Sequence, residues 1–365
     1  MKFSINQSEL QNAITIVSRG ASTRSTLPIL SGILLEAKGD SLTLQTTDLE
    51  LSMKFKVNAL VEEEGRTVVP CKLFESIVKN LPDAAVRIEG REGSISLTCD
   101  TSSFSIKTLE AADFPGFPVV DTSQEISIPF PCFSSMVKRV ARVVSKDESR
   151  AVLTGVLLTG EEGTLRMVAT DSYRLALTEA PVATPDGGFR AVIAGVFLQS
   201  VASLPRTEEN ITFALADNQI VVKYLDTVLI NRRIEGNYPN YKQLLPSSCS
   251  TRVTVSKDRL TSAVRRIAVV GQTSAPIRFD VDAASQTLLL SGATQDVGAA
   301  QEVIACEVEG DDAKISFNCS YVSEGLSAVE TEKVFLDIQG SMKPGVLRAD
   351  RGENYLYLIM PVRMA

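Results

Sequence analysis

Apolar residues recur at helical spacing near the start of three similar stretches of the chain. Leu10, Ile14 and Val17 lie on one face of a helix predicted over roughly Gln7 to Ser18. The matching sets are Phe133, Val137 and Val140 and, four residues late, Leu260, Val264 and Ile267. A short strand of alternating polarity precedes each set, so the pattern predicts the same strand and helix three times.

Antiparallel hairpins are predicted after each of these helices. In the first copy Ile33–Glu36 turns at Lys38–Asp40 into Leu42–Leu44, and Gly39 suits such a turn. The equivalent hairpins join Val156–Leu158 to Leu165–Met167 and Phe279–Val281 to Leu288–Leu290. A second helix follows in each copy, at about Lys72–Asn80, Val196–Ser203 and Cys319–Val329, and alternating strands come after it.

The copies are related by a constant spacing of 123 residues. Leu42–Asp48 (LTLQTTD) reappears 123 residues on as Leu165–Asp171 (LRMVATD), and the fainter Leu288–Thr294 begins 123 residues after that. Each copy has a common size for a domain with its own core. The sequence therefore predicts an α+β fold of three tandem domains, 1–123, 124–249 and 250–365, in which two helices cover one face of antiparallel sheets.

The composition is that of a soluble globular protein without a metal or a cofactor. Its 44% hydrophobic and 22% charged residues are ordinary values, and no apolar run approaches the ~18 residues that span a bilayer. The N-terminal residues lack the apolar core of a signal peptide, so a cytoplasmic location without a membrane partner is expected. The six cysteines are scattered and histidine is absent, so we predict free, buried thiols and no metal or cofactor.

The sequence predicts no catalytic residues. Ser-His-Asp and Cys-His chemistry are excluded because the chain contains no histidine. Asp48 and Asp171 occupy equivalent positions in separate copies, and we predict that each forms hydrogen bonds within the turn after a strand. The alternative is an enzyme that uses these carboxylates with a metal, although the chain also lacks glycine-rich phosphate loops.

Basic residues collect on the predicted helices, although the net charge is −7. These residues are Lys72, Lys79, Lys138, Arg139, Arg142, Lys146, Lys257, Arg259, Arg265 and Arg266. Acidic residues concentrate in strands and loops, as in Glu62–Glu64 and Glu307–Asp312. The basic residues are either ordinary solvated helix faces or a surface for sequence-independent contacts with the phosphates of DNA.

Seven short motifs in a fixed order show which family the chain resembles. They are Thr26–Leu30 (TLPIL), Thr47–Glu50 (TDLE), Ala111–Pro115 (AADFP), Ala169–Ala176 (ATDSYRLA), Tyr238–Tyr241 (YPNY), Asn318–Val322 (NCSYV) and Met360–Arg363 (MPVR). Over its full length the chain resembles the bacterial DNA polymerase III beta subunit family, the replication sliding clamps. The resemblance implies a crescent of three domains that joins a second copy head to tail in a six-domain ring. In such a homodimer the helices line a hole around double-stranded DNA, and the ring is a non-catalytic processivity factor.

The resemblance also implies three kinds of contact site. For DNA it assigns Arg24, Lys72 and Arg150, to which the basic helices add Lys138, Arg142 and Arg265. For the ring joint it pairs edge strands of the first and third domains, with Phe104 and Ile106 against Val269 and Val270. A pocket between the second and third domains would bind Gln-x-x-Leu-Phe peptides of the polymerase III catalytic subunit, the clamp loader and other clamp-binding-motif proteins. Its residues are Leu153, Gly155, Thr170, Tyr173, Arg174, Leu175, Pro239, Leu244, Met360, Pro361, Val362 and Arg363, of which Arg174 and Arg363 are expected at the rim.

The chain departs from some relatives at these sites. Tyr173 and Gln243 stand where some carry histidine and arginine, so a shifted peptide preference is expected. Ala151 and Val152 replace two tyrosines that follow Arg150 in some members. A third hypothesis is an interaction protein, built from repeats, that never touches DNA.

Overall fold

The computed structural model describes residues 1–22, 25–121, 125–185, 187–216, 218–271, 275–294, 297–350 and 354–363. The first predicted domain contains β1 (Lys2–Asn6), α1 (Gln7–Val17), β2 (Gly32–Lys38), β3 (Ser41–Thr47), β4 (Leu51–Asn58), β5 (Leu60–Glu63), β6 (Gly65–Pro70), α2 (Cys71–Lys79), β7 (Ala85–Arg91), β8 (Ser94–Cys99) and β9 (Ser102–Lys107). The second contains β10 (Glu125–Pro129), α3 (Phe130–Val140), β11 (Gly155–Glu161), β12 (Thr164–Thr170), β13 (Arg174–Pro181), β14 (Phe189–Ala194), α4 (Gly195–Ala202), β15 (Asn210–Leu215), β16 (Gln219–Tyr224) and β17 (Thr227–Arg232). The third contains β18 (Thr251–Ser256), α5 (Lys257–Gly271), β19 (Pro276–Asp282), β20 (Thr287–Thr294), β21 (Gly298–Ala305), β22 (Glu307–Gly310), β23 (Ala313–Asn318), α6 (Cys319–Ser327), β24 (Lys333–Ile338), β25 (Gly345–Ala349) and β26 (Tyr355–Ile359). Short 3₁₀ helices are formed by Ser18–Gly20, Pro28–Ser31, Ala111–Asp113, Ala141–Val143, Glu148–Thr154 and Tyr241–Leu244.

The chain divides into two compact units, and the second copy contributes to both. Unit 1 consists of Met1–Pro131 and Ser203–Arg233, with sheets of order β5-β1-β7-β8-β9 and β10-β15-β16-β17-β4-β3-β2-β6. Unit 2 consists of Cys132–Ala202 and Ile234–Ala365, with sheets of order β14-β11-β12-β13-β26-β25-β24-β18-β22 and β21-β20-β19-β23. The strand pairs of the described residues are antiparallel, which confirms the predicted α+β class.

One sheet in each unit runs from one copy into the next through an equivalent strand pair. In unit 1 β4 pairs with β17, and in unit 2 β13 pairs with β26. Each of these strand pairs has an equivalent backbone hydrogen bond at its end. Arg232 N donates to Glu50 O at 3.2 Å in unit 1, and Met360 N donates to Tyr173 O at 2.9 Å in unit 2. The repeat in the sequence is therefore also a repeat in backbone hydrogen bonding.

The predicted apolar helix faces form the cores of the copies. Leu10, Ile14 and Val17 are 0%, 1% and 0% exposed, and the equivalent residues of α3 and α5 are buried in the same way. The predicted hairpin turns are also found, with Gly39 and Gly163 at φ 56° and 73°. Glycine suits these positions because it adopts positive φ without a steric cost.

Six free cysteines are present, but the prediction that they are buried holds for only three of them, because Cys132 and Cys306 are half-buried and Cys249 is exposed. Cys71, Cys99 and Cys319 are buried, whereas Cys249 is exposed because it lies in the irregular segment before β18 rather than on a core face. Among the described residues, no helix is long and apolar enough to cross a membrane.

Candidate functional site

The turn between β12 and β13 is held by the carboxylate of Asp171. Its Oδ1 accepts hydrogen bonds from Tyr173 N at 2.9 Å and from Arg174 N at 3.0 Å. In the first copy Asp48 Oδ1 accepts equivalent bonds from the second and third residues after it, at 3.0 and 2.7 Å. The prediction that both aspartates stabilise turns is confirmed.

This turn uses a backbone conformation that side-chain-bearing residues rarely adopt. Ser172 has φ 80° and the equivalent Leu49 has φ 78°, and such positive values are strained for residues other than glycine. The tight reversal is followed at once by Tyr173, whose side chain is 61% exposed. Strain of this kind persists only where surrounding contacts enforce it.

Arg174 supplies several of those contacts from a buried position. It is 8% exposed, and its Nε donates to Asp171 Oδ2 at 3.0 Å. Its Nη1 donates to Glu324 Oε2 at 2.7 Å and to the Tyr357 hydroxyl at 3.2 Å, and its guanidinium lies 4.4 Å from the Tyr321 ring centroid. The charge is thus committed to contacts inside unit 2 and does not lie at the rim, where the resemblance led us to expect it.

The titration of these groups follows from their burial and their partners. Burial acts to lower the pKa of Arg174, but Tyr357 and Glu324 raise it above its ordinary value overall. Burial raises the pKa of the Tyr357 hydroxyl. Arg174 therefore stays cationic and Tyr357 stays neutral at physiological pH.

Exposed apolar side chains mark the surface around this cluster. Tyr173, Leu244, Met360 and Val362 are 61%, 48%, 41% and 38% exposed. Met360 is fixed beside Tyr173 by the backbone bond between them. Among the other nominated pocket residues, Pro239 and Arg363 are exposed, Pro361 is half-buried, and Leu153, Gly155, Thr170 and Leu175 are buried.

Gly155 is required by the close packing of β11 against Val192 of β14 and Ile234. A Cβ at this position would lie 2.5 Å from Val192 Cγ1 and 2.9 Å from Ile234 Cδ1. A Cβ at the equivalent Gly32 would likewise lie 2.4 Å from Val68 Cγ1. Such distances are too short for carbon atoms, so a larger residue would push the strands apart.

The nominated DNA contacts fall into three groups. Lys72, Lys138 and Arg265 are exposed on α2, α3 and α5, and no ion pair of theirs occurs in the described part of the chain. Arg142 and Arg150 are exposed but tethered, the first to Ser327 Oγ at 2.6 Å and the second to Asp147 Oδ2 at 3.2 Å and Ser172 Oγ at 3.0 Å. Arg24 lies outside the described residues.

One basic residue of α3 has an internal role instead. The side chain of Arg139 is 12% exposed and pairs with Glu330 at 3.2 Å. Its guanidinium also lies 5.9 Å from the Tyr355 ring centroid. The helix α3 therefore exposes fewer basic side chains than the sequence pattern indicates.

The four residues nominated for the ring joint differ in their exposure and in the type of element on which they lie. Phe104 is 38% exposed on β9, which ends its sheet, whereas Ile106 on the same strand is 1% exposed within unit 1. Val269 is 81% exposed and Val270 is half-buried, but both lie on the last turn of α5 rather than on a strand. The edge strand beside them is β21, whose Gly298 lies close to Val270. The helix that contains Leu260, Val264 and Ile267 continues to Gly271 and so includes both valines.

Comparison with known proteins identifies the family of the chain. Family models of the DNA polymerase III beta subunit match the chain in order, the N-terminal domain at residues 1–118, the central domain at 127–240 and the C-terminal domain at 242–363. The chain belongs to the DNA polymerase III beta subunit family. This confirms the resemblance that the sequence motifs indicate, and the fold of three clamp domains with it.

Named members of this sliding-clamp family match over their whole length. The beta sliding clamp of Synechocystis sp. is 31% identical, and the match covers 100% of both chains. The crystal structure of the DNA polymerase sliding clamp from Bacillus subtilis superposes with a TM-score of 0.96 at 27% identity, covering 100% of both chains. A sliding clamp from Pseudomonas aeruginosa bound to griselimycin gives a TM-score of 0.94 at 26% identity, also over 100% of both.

Sequence reasoning missed the residues that hold the buried arginine in place. Glu324, Tyr321 and Tyr357 surround Arg174, yet only Tyr321 lies in a quoted motif and no role was predicted for it. Glu324 is 150 residues from Arg174 in the chain. A local sequence pattern cannot predict a pair at such a separation. The hydrogen bond between Arg174 and Asp171, three residues apart, can be predicted because aspartate commonly bonds to nearby residues in turns.

Proposed function

We propose that this protein is a non-catalytic sliding clamp of the cytoplasm. Two chains close into a ring around duplex DNA and tether the polymerase III catalytic subunit and other DNA-processing proteins. The observation that carries the proposal is the ordered match of all three clamp domains, with full coverage of the Bacillus subtilis clamp at a TM-score of 0.96. Domain boundaries at 123 and 249 belong to the same proposal.

The charge distribution supports sliding rather than tight binding. Exposed Lys72, Lys138 and Arg265 lie on helices in a chain whose net charge is −7. Lysine and arginine contacts with phosphates carry no sequence information and weaken with salt. A closed ring needs only such weak contacts, because the topology of the ring keeps it on the DNA.

Two free sheet edges support closure of the ring. β9 and β21 each end a sheet, and Phe104 and Val269 expose apolar side chains on or beside them. An unpaired edge offers backbone groups to a strand of another chain. Head-to-tail pairing of β9 with the partner's β21 gives two identical joints related by two-fold symmetry.

The exposed apolar cluster of unit 2 supports a pocket for partner peptides between the second and third domains. Tyr173, Leu244, Met360 and Val362 expose apolar side chains, Met360 N donates a hydrogen bond to Tyr173 O, and grouped exposed apolar side chains mark binding sites. Methionine adapts its shape to several partners. Arg363 is exposed at the chain end, where it is available to a partner's polar group.

A charge-reversal experiment tests the DNA part of this proposal. Lys138→Glu with Arg265→Glu should shorten retention on nicked circular DNA, loaded by a clamp loader with ATP, and should reduce the salt dependence of retention because fewer phosphates are contacted. The control, Lys314→Glu with Lys343→Glu, changes the net charge equally at exposed positions outside these helices. Equal retention by both variants and the wild type would remove Lys138 and Arg265 from the DNA contacts, and no retention of the wild type would favour an interaction protein that does not touch DNA.

Peptide binding tests the pocket separately. Fluorescein-labelled Gln-Ala-Asp-Leu-Phe should bind the wild type in a fluorescence anisotropy titration, and Met360→Glu should weaken the affinity at least tenfold. Val196→Asp is the matched control, since Val196 is 72% exposed on α4 outside the proposed pocket. Equal affinities for the two variants would remove the pocket from the proposal.

A further inference from the structure

Two clefts adjoin on one face of the nine-stranded sheet of unit 2. The larger has a volume of about 470 Å³ and the smaller about 270 Å³. Arg166, Tyr241 and Lys242 line both, so they form one depression, which we call the Tyr241 trough. The Tyr238–Tyr241 motif, which includes Pro239 of the proposed peptide pocket, contributes to the trough, but most of its lining belongs to neither the motifs nor the pocket.

The trough lies on the sheet face that is turned away from α6. Side chains alternate between the two faces of a strand. On β26, Tyr357 packs against Gly325 of α6, whereas its neighbour Leu356 lines the trough. The trough is therefore separated by the sheet from the helical surface proposed to face DNA.

Cations outnumber carboxylates in the lining of the trough. The charged lining residues are Arg166, Arg190, Lys242 and Arg348 against Glu161 and Glu179. Glu179 is engaged by Arg166 in an ion pair. This excess of positive charge stands out in a chain whose net charge is −7.

Two of these cations, Lys242 and Arg348, are incompletely neutralised by the protein. Arg348 Nε donates to Asp337 Oδ2 at 3.0 Å, but Arg252 also binds that carboxylate at 2.6 and 2.9 Å. One carboxylate thus serves two guanidinium groups. Lys242 is exposed and forms no ion pair among the residues that the structure describes. A ligand with carboxylate groups would complete the charge balance.

The trough is continuous with the proposed peptide pocket. Pro239, one of the pocket residues, lines the smaller cleft. Leu177 and Leu356 of the larger cleft pack in the same hydrophobic cluster as Leu175, another nominated pocket residue. A peptide bound at Pro239 would therefore lie next to the smaller cleft, from which it can extend along the trough.

We propose that the Tyr241 trough is a second contact site for clamp partners, which binds an acidic segment following the apolar motif of the partner peptide. This inference rests on the proposed peptide pocket. Leu177, Leu356 and Tyr241 offer an apolar floor for one side chain of that segment, and Lys242 and Arg348 bind its carboxylates. A nucleic acid fits less well, because the trough lies on the face away from α6.

Three labelled peptides test the inference by fluorescence anisotropy. The first is Gln-Ala-Asp-Leu-Phe, the second adds Gly-Gly-Glu-Leu-Glu after Phe, and the third adds Gly-Gly-Gln-Leu-Gln. The acidic extension should tighten binding by about fivefold to tenfold over its amide counterpart in 50 mM NaCl, and 300 mM NaCl should remove most of that gain because exposed charges are screened. Lys242→Glu should abolish the gain, whereas the control Lys314→Glu should preserve it.

Each other result overturns the inference in a recognisable way. Equal affinity for the two extended peptides, with the short peptide still binding, would refute the trough's role and leave the pocket intact. Failure of all three peptides to bind would remove the pocket and the trough together. Displacement of the acidic extension from the wild type by a single-stranded oligothymidylate, without displacement of the short peptide, would make the trough a nucleic-acid site instead.

Discussion

Removing the guanidinium of Arg174 should destabilise unit 2 rather than merely weaken a partner contact. The change Arg174→Ala leaves Asp171, Glu324 and the Tyr357 hydroxyl without their common donor. Breaking a buried ion pair by removing one partner costs about 3–5 kcal/mol. The Glu324 side chain is 39% exposed and regains water, so we expect the lower end, about 3 kcal/mol in the free energy of unfolding.

Tyrosine fluorescence can follow this loss in the intact protein. The chain contains no tryptophan and seven tyrosines, and all but Tyr224 lie in unit 2. A urea titration followed by tyrosine emission therefore reports mainly the unfolding of unit 2. Arg174→Ala should shift the midpoint to lower urea with an unchanged slope, and Arg174→Lys should fall between, because an ammonium cannot reproduce the guanidinium fork.

The matched control is Arg363→Ala, which removes an exposed arginine from the same surface. It should change the free energy of unfolding by less than about 0.5 kcal/mol while weakening peptide binding. The reasoning is refuted if Arg174→Ala unfolds within about 0.5 kcal/mol of the wild type. Arg174 would then be available to partners, as the resemblance implies.

Three further changes probe the packing, the thiols and the ring joint. Gly155→Ala should lower the free energy of unfolding obtained from the same urea titration by about 1–3 kcal/mol through its overpacked contacts; an unchanged free energy would show that the strands relax freely. Iodoacetamide at pH 8 should alkylate the exposed Cys249 first, while Cys71, whose pKa burial raises to about 11, reacts only on unfolding; equal rates by peptide mass mapping would contradict this. Phe104→Asp should give a folded monomer in native mass measurement, whereas Ile106→Asp should unfold unit 1 because that side chain is 1% exposed; a dimeric Phe104→Asp would remove this side chain from the joint.

Local patterns predicted the local structure well. The apolar spacing of Leu10, Ile14 and Val17 predicts a helix to within one residue of its observed end. The turn role of Asp48 and Asp171 follows from short-range hydrogen bonding and is confirmed. Ordered motifs, rather than any physical pattern, pointed to the family.

Long-range arrangements were not accessible from the same patterns. The division of the second copy between two units depends on the pairings of β4 with β17 and of β13 with β26, which join strands distant in sequence. The burial of Arg174 depends on Glu324 for the same reason. The placement of Val269 on a helix illustrates a boundary error, since periodicity fixes the type of an element better than its end.

The central claim, topological linkage to DNA by a dimeric ring, is tested most directly by retention on nicked circular DNA before and after linearisation. Clamps loaded with a clamp loader and ATP should stay with the circles in gel filtration, leave when a restriction enzyme creates ends, and show a free native mass near twice 39.4 kDa. Equal retention on circular and linear DNA would contradict the ring and show ordinary electrostatic binding instead.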